Sequence, residues 1–376
     1  MTGEVQQGVL VDFQLKDLIA TGEISLAPDA ADWTEGQVQP ASLDLRLGTK
    51  AYRLQATVLP GQGVEVMQRA ESLIMGEMDL TQPQLLERGG VYLVPLMETL
   101  SLHKGLAATA SPKSSTGRLD IFVRLVTDGC TTYDTVVHGY KGQLFVEVCP
   151  LTFPILARAG DRLNQIRFRR GDVRVSDADM VLRHEETPLI YLEDGTPMRD
   201  AKMEQGLWTS IDLGGSLPGN PVVGYKAKYH TQPVDLARVG GYGWEKFWEP
   251  IYKNDCAPLI LYPESFYIFA SRERICVPPD VSAELVAYDT RIGEIRVHYA
   301  GFFDPGFGFS AGAKGTTAVL EVRAHDVPCV LEHGQVIGRF VYEKLAGTPE
   351  KLYGAEIASN YAGQGLKLAK QFLMEK

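Results

Sequence analysis

Apolar and polar positions alternate along most of the chain in short runs, and the runs are bounded by Gly, Pro and Asp. Leu144-Phe145-Val146-Glu147-Val148 and Ala318-Val319-Leu320-Glu321-Val322 are representative. A period of two sends successive side chains to opposite faces, which a strand does and a helix does not. The same pattern predicts strands over 121–126, 155–156, 284–287 and 336–342. Many short strands without long alternating helices favour a barrel or jelly roll over a doubly wound sheet. The expected fold class is therefore mainly β, with a few short helices. One helix is predicted near the start, where Asp12 can cap it, Phe13, Leu15, Leu18 and Ile19 form an apolar face and Gly22 can stop it. A second is predicted near the end, where Leu368, Phe372 and Leu373 share a helical face. From about Gly171 to Asn254 the pattern weakens, and Gly206–Gly219, with Gly214, Gly215 and Pro218, reads as a linker or long loop.

The pattern also repeats. Glu147-Val148-Cys149-Pro150-Leu151-Thr152-Phe153-Pro154 parallels Glu321-Val322-Arg323-Ala324-His325-Asp326-Val327-Pro328, and both continue to a glycine, Gly160 and Gly334, then to Leu163 and Ile337. The offset is constant: 321 − 147, 328 − 154, 334 − 160 and 337 − 163 all equal 174. Upstream, Val91-Tyr92-Leu93-Val94-Pro95 parallels Phe266-Tyr267-Ile268-Phe269-Ala270, followed by Glu98 and Glu273. A repeat of this length means two copies of a domain rather than a solenoid. The division expected is a first β domain over 1–175, a connecting segment over 176–220 and a second β domain over 221–376.

Composition narrows the function classes. At 376 residues, two domains are the default. A net charge of −10 argues against a general duplex-DNA or anionic-membrane binder, although a local basic pocket still suits a small nucleotide. Cys130, Cys149, Cys256, Cys276 and Cys329 are odd in number and form no CxxC pair, so neither a disulfide framework nor a zinc knuckle is indicated. No apolar run reaches the ~18 residues of a membrane span, and Glu4 arrives too early for a signal peptide. A reduced cytoplasmic protein is the expectation.

The chemistry concentrates in two short segments. Lys113-Ser114-Ser115-Thr116-Gly117-Arg118 offers hydroxyls, backbone N–H groups and two cations to phosphate oxygens, with Arg supplying a planar fork. Asp304-Pro305-Gly306-Phe307 is a tight turn whose carboxylate can hold a sugar. Exposed turns with incidental charges would account for either segment alone. Glu147 and Glu321 are carboxylates inside apolar strands, sharing faces with Phe145 and Val319, and each therefore needs a partner. That partner is either an inter-strand Arg or a proton in transit, as in a general acid/base. His184-Glu185-Glu186 reads as the H-x-E of a zinc deaminase, but P-C-x-x-C is absent, so it is taken as an accident of sequence. There is no Walker A sequence, and Gly306-Phe307-Gly308 followed by Ala311 is only a loose dinucleotide pattern.

With these residues in view, the chain resembles the dCTP deaminase branch of the dUTPase-like β-barrel proteins in its tandem-duplicated bacterial form. Gln39-Pro40-Ala41-Ser42-Leu43-Asp44-Leu45-Arg46-Leu47-Gly48 is similar to the family's first strand signature. Lys113–Arg118 is similar to its Arg-Ser-Ser-x-x-Arg loop, with Lys for the first Arg, and Ala300–Phe307 to its nucleoside-binding hairpin. Glu147 and Glu321 fall where the family carries its catalytic glutamate, and Asn360-Tyr361-Ala362-Gly363-Gln364-Gly365 is similar to the tail that closes over the triphosphate.

The departures are informative too. The second copy keeps Arg291 and Gly293 but has Tyr288-Asp289-Thr290 in place of the serine pair, while the first has Val137-His138-Gly139-Tyr140 in place of Asp-Pro-Gly. Each copy keeps what the other has lost, so one composite site per chain is expected. Gly308–Gly315 looks like an insertion between the hairpin and Glu321.

The resemblance implies a hydrolase of a cyclic amidine C–N bond that converts dCTP to dUTP and ammonia for pyrimidine deoxynucleotide synthesis. Water activation would be metal-free, by glutamate. It gives Glu321, Ser114, Arg118 and Glu147 catalytic roles, and Lys113, Ser115, Arg291, Ala300, Asp304, Gly306, Phe307, Tyr361 and Gln364 roles in substrate binding. Mg2+ would arrive with the triphosphate, and no zinc is expected. The partners implied are dCTP, dTTP as an inhibitor and further copies of the chain in a homo-oligomer, with no nucleic acid and no membrane. A dUTP diphosphatase or bifunctional deaminase, and a non-catalytic nucleotide-binding regulator, are the alternatives.

Overall fold

The computed structural model describes residues 6–215, 221–253, 258–286, 301–309, 314–324, 326–354 and 365–374, and the backbone of 295–297. The fold is mainly β, as the alternation predicts, with few and short helices among the described residues. The chain divides into two compact units. The first comprises Met1–Val173, His230–Gly241 and Leu345–Glu350, and the second Arg174–Tyr229, Tyr242–Lys344 and Lys351–Lys376.

The principal sheet of the first unit runs through β1 (Lys50–Leu54), β2 (Ile74–Asp79), β3 (Val91–Ser101), β4 (Ile121–Thr127) and β5 (Lys141–Pro150), in the order β2-β1-β3-β5-β4, with Ile24–Leu26 also on β3. In the second unit, β6 (Val222–Ala227), β7 (Trp248–Tyr252), β8 (Phe266–Ile275), β9 (Ile295–Val297) and β10 (Thr316–Ala324) run in the order β7-β6-β8-β10-β9. The two orders are the same, strand for strand. Register agrees as well: Glu147 faces Leu93, and Glu321 faces Ile268. Both ladders slip at one place, where Gln143 faces Thr99 but Phe145 faces Pro95, and Thr317 faces Arg274 but Val319 faces Ala270. Tyr92 OH accepts the Glu87 N–H at 2.9 Å, and Tyr267 OH accepts the Tyr262 N–H at 3.1 Å. The duplication read from a constant offset is thus a duplication of hydrogen bonds.

A second sheet in each unit leads into the candidate loop of the first copy and the candidate hairpin of the second. In the first it orders Gly8–Val9, Asn164–Arg170, Ala107–Pro112 and Thr135–Val136, with Leu43–Leu45 also on Asn164–Arg170. In the second it orders Leu207–Ser210, Val336–Lys344, Val281–Val286 and Phe302–Phe303. Phe269, Leu320, Phe340 and Tyr342 lie in the second unit's core, and burying each such side chain contributes about 1.5–3 kcal/mol. The first unit completes itself from further along the chain. Val234–Asp235 runs parallel to Ile155–Leu156, with Asp235 paired to Arg158 at 2.5 Å, and Glu350 pairs with Lys16 at 2.5 Å.

Helix α1 spans Asp12–Ala20 with Leu15 and Leu18 buried, and Gly22 follows at φ +78°. Val11 rather than Asp12 is its N-cap: the Gln14 side chain accepts the Val11 N–H at 3.0 Å, while Asp12 accepts the Phe13 N–H from the first turn. The helix expected around Leu368 and Phe372 is absent. Phe372–Leu373 instead forms a short strand parallel to Tyr242–Gly243, with the Phe372 ring 5.1 Å from Phe247 and 5.9 Å from Trp248. Aromatic partners far away in sequence override the local helical spacing. Residues 176–215, read as connection, hold a helix and strands of the second unit. Within the expected linker, Leu207–Ser210 pairs with Val336–Lys344, and Gly206 at φ +130° is required because a Cβ there would lie 2.7 Å from the Phe340 carbonyl.

Candidate functional site

The Lys113–Arg118 segment follows the strand Ala107–Pro112 and makes one short helical turn, α3 (Ser114–Gly117). Its entry is fixed by the Lys113 N–H donating to Leu163 O at 2.9 Å, and its floor by Thr116 Oγ1 donating to the same carbonyl at 2.7 Å. Ser114 is exposed, Ser115 half-buried and Arg118 buried, with the Arg118 N–H on Ser114 O at 3.0 Å. The first N–H groups of a helical turn have no partner within it, so this turn offers donors beside two hydroxyls.

The Lys113 ammonium pairs with Asp44, a buried carboxylate. Arg162 reaches the other Asp44 oxygen at 3.4 Å and also donates to Gly36 O at 3.1 Å and Glu35 O at 3.2 Å. Two cations on one carboxylate leave one net positive charge at the edge of the loop. Neither Asp44 nor Arg162 was singled out from sequence. The signal was the alternation Leu43-Asp44-Leu45-Arg46-Leu47, which puts two charges in a five-residue run whose every residue is buried. Arg46 answers the same demand differently, donating to Glu98 from Nε at 2.7 Å and from its backbone N–H at 2.9 Å.

The second segment, Asp304–Phe307, is a tight turn after Phe302–Phe303. Gly306 sits at φ +98°, its N–H donates to Val277 O at 3.0 Å, and Phe307 O accepts the Val277 N–H at 2.8 Å. Asp304 is buried, and the Phe307 ring meets Phe303 edge-on at 4.9 Å. The insertion after it closes on itself. A Cβ on Gly308 would lie 2.9 Å from Thr316 N and 3.2 Å from Gly315 C, so the two ends of the excursion touch. Arg274 clamps its return by donating to Lys314 O at 2.8 Å and to Gly315 O at 2.9 Å. Glu321 therefore keeps the register of Glu147 although its spacing from the hairpin differs. Arg291, Ala300, Tyr361 and Gln364 lie outside the described residues.

The two glutamates are both buried, in unlike settings. Glu147 lies beneath residues 55–73, accepts the Val58 N–H and faces Arg124 across the ladder. Val58, Val66 and Ala70 from that stretch, which includes α2 (Val66–Ala70), pack with Leu93, Val126 and Phe145 on the same face. Burial pushes the Glu147 carboxyl up to about 7, against the opposing pull of the Val58 N–H and Arg124. Glu321 faces Ile268 and, one strand further, Tyr225. The stretch of the second copy that corresponds to 55–73 lies between β6 and β7, and most of it, His230–Gly241, belongs to the first unit.

His184, on α4 (Asp177–Glu186), is spent on structure: Nδ1 accepts the Leu189 N–H at 3.0 Å and Nε2 donates to Met198 O at 3.0 Å. Among the described residues, no cluster of His, Cys, Asp and Glu is arranged to hold a metal ion. No described helix is long and apolar enough to cross a membrane.

Comparison with known proteins gives these positions a context. Residues 6–172 match a family model described as the 2'-deoxycytidine 5'-triphosphate deaminase N-terminal domain, and residues 176–372 one described as its C-terminal domain. A crystal structure of 2'-deoxycytidine 5'-triphosphate deaminase from Agrobacterium tumefaciens superposes with a TM-score of 0.84 at 46% identity, covering 90% of this chain and 99% of that one. A dCTP deaminase of Halorubrum lacusprofundi is 31% identical over 162 residues, 43% of this chain and 76% of the relative. A protein of Methanoculleus marisnigri named dCTP deaminase, dUMP-forming, is 27% identical over 166 residues, 44% of this chain and 81% of the relative.

Proposed function

The chain belongs to the 2'-deoxycytidine 5'-triphosphate deaminase family, and from that premise we propose that it hydrolyses dCTP to dUTP and ammonia with Glu321 as the proton carrier. The likeness to a solved deaminase along nearly the whole chain is the observation that carries this reading. The Ser114–Arg118 turn takes the triphosphate, which brings Mg2+ as part of the substrate, and the Asp304–Phe307 turn takes the deoxyribose. Water attacks C4 of the cytosine while Glu321 accepts its proton. The tetrahedral adduct then collapses as the protonated Glu321 returns that proton to the departing 4-amino group. The C4–N bond breaks and ammonia leaves, the second water proton passes from the C4 hydroxyl to N3 and a C4 carbonyl remains, so one carboxyl serves as base and then as acid. Arg118 and Lys113 hold the phosphate charge, and the Ser114 hydroxyl spans phosphate and base.

Glu321 is preferred over Glu147 for a physical reason. In the first unit, the Val58 N–H and the apolar side chains around it already occupy the carboxylate's face. The dUMP-forming name of one relative favours a second reading, in which the same site goes on to cleave the triphosphate. Incubation with dCTP and Mg2+, with dUTP, dUMP, pyrophosphate and ammonia resolved over time, tests both. dUTP with equimolar ammonia supports deamination alone, dUMP with pyrophosphate supports the second reading, and unchanged dCTP sinks both.

A further inference from the structure

The hairpin that carries Asp304 is not held by its own strands alone. Tyr353 donates its backbone N–H to Pro305 O at 2.9 Å, and its ring lies 5.7 Å from the Phe307 ring. A Cβ on Gly306 would stand 3.1 Å from Leu352 Cβ, from Tyr353 N and from Tyr353 O. The backbone of 352–353 is thus laid against the backbone of the turn, and a Cβ on Gly306 would force it to give by a few tenths of an ångström. Behind the contact, Phe307 meets Phe303 at 4.9 Å and Phe303 meets Phe340 at 4.9 Å, which continues the stack into the core of the unit.

We infer that Leu352–Tyr353 is a positioning strap for the nucleoside hairpin, with Tyr353 its principal residue. It fixes where Asp304 and the Phe307 backbone stand, and so sets nucleoside affinity without touching phosphate. This rests on the reading of the hairpin as the sugar-binding turn. A local displacement of such a turn of about an ångström can cost on the order of a hundred-fold.

Calorimetric titration with deoxycytidine and, separately, with inorganic tripolyphosphate reads the two parts independently. Tyr353→Ala is expected to weaken deoxycytidine roughly ten- to a hundred-fold and leave tripolyphosphate unchanged, with Tyr353→Phe binding both as the parent does. Gly306→Ala pushes on the same contact from the hairpin side and should give the same split. Equal loss of both ligands, or undiminished deoxycytidine binding by Tyr353→Ala, overturns the inference. Hydrogen exchange keeps the strap separate from the proposed activity. In Tyr353→Ala, the Gly306 and Phe309 N–H groups, bonded to Val277 O and Gly306 O at 3.0 Å each, should exchange faster. Faster exchange in a protein that deaminates nothing would leave the strap standing and remove only the activity. Unchanged exchange would remove the strap.

Discussion

The two copies share a skeleton and differ in what is buried on it. Glu98 and Glu273 lie at matching places, 98 + 175 = 273, the offset that also relates the facing residues Leu93 and Ile268. Glu98 holds Arg46 through Nε and the backbone N–H, whereas Glu273 holds Ser210 through its hydroxyl at 2.5 Å and its backbone N–H at 2.7 Å. The backbone bond is conserved in place while the side-chain partner changes from a cation to a hydroxyl. Two residues earlier, Asp44 in the first unit gathers Lys113 and Arg162, and Trp208 in the second has Lys202 at 4.5 Å and Arg339 at 5.6 Å over its ring. The copy that keeps the serine loop keeps the carboxylate beneath it, and the copy that keeps the hairpin does not. Hydrogen-bond register is enforced everywhere in a sheet at once, so it survives duplication. Individual charge partners answer only to local function and drift.

The largest separation between the copies should appear in turnover. Glu321→Gln keeps size and hydrogen bonding but cannot take a proton, so kcat for dCTP is expected to fall about 10²–10⁴-fold, with dCTP binding by calorimetry within a few-fold of the parent. Retained turnover would remove Glu321 from the mechanism. Next comes stability. Arg46→Ala strips Glu98 of its cation in a fully buried site and should cost about 3–5 kcal/mol in denaturant unfolding. Ser210→Ala removes one of several hydrogen bonds to Glu273 and should cost about 1–2 kcal/mol. Equal costs would mean that the two buried carboxylates are supported alike, contrary to the comparison. Smaller still are single contacts to ligand. Ser114→Ala and Asp304→Ala should each lower kcat/KM ten- to a hundred-fold, about one charge-assisted hydrogen bond apiece. Asp304→Ala should weaken deoxycytidine more than Ser114→Ala does, since Asp304 holds the deoxyribose and Ser114 is shared between phosphate and base. The counterpart His138→Ala should leave kcat/KM within two-fold or so of the parent, and a ten-fold loss there would mean that the first copy's turn also serves the substrate.

What was legible in the sequence follows from these distinctions. Strands such as β4, β5 and β10 announced themselves by alternation, and a repeated spacing fixed which residues correspond, because sheet register leaves a periodic trace. Phe372 was misread since its spacing to Leu368 is helical, while what holds it is Trp248 and Phe247, more than a hundred residues away. Gly206 looked like linker composition, although its glycine is there to pass the Phe340 carbonyl. Asp44 and Arg162 stand 118 residues apart, 162 − 44, with nothing periodic to join them. The loop and hairpin could be named from residue types, but the strap at Tyr353 could not, since its bond to Pro305 is made by backbone and its ring meets Phe307 with nothing periodic to join the two positions.

The smallest expected effect on activity, and the one that tests the comparison most directly, is at Glu147. Its carboxyl is raised from 4.5 to about 7 by burial. Between those values the folded chain holds a proton that the unfolded chain has released. Stability from this group is therefore complete below about 4.5 and is lost as pH rises through about 7, with a span of about 3 kcal/mol at 1.36 kcal/mol per unit. Glu147→Gln still accepts the Val58 N–H and does not titrate. Thermal melts between pH 5 and pH 8 should accordingly show a flatter slope in Glu147→Gln than in the parent, with the variant gaining at the alkaline end, while kcat/KM for dCTP stays within about two-fold. A raised carboxyl is the ordinary mark of a catalytic acid. Here the same property comes from a carboxyl sealed under its own chain, and the melts separate the two causes. An unchanged slope would mean that Glu147 is ionised in the folded protein. A Glu147→Gln protein with normal melts and no turnover would reverse the assignment and make the first copy the seat of the chemistry.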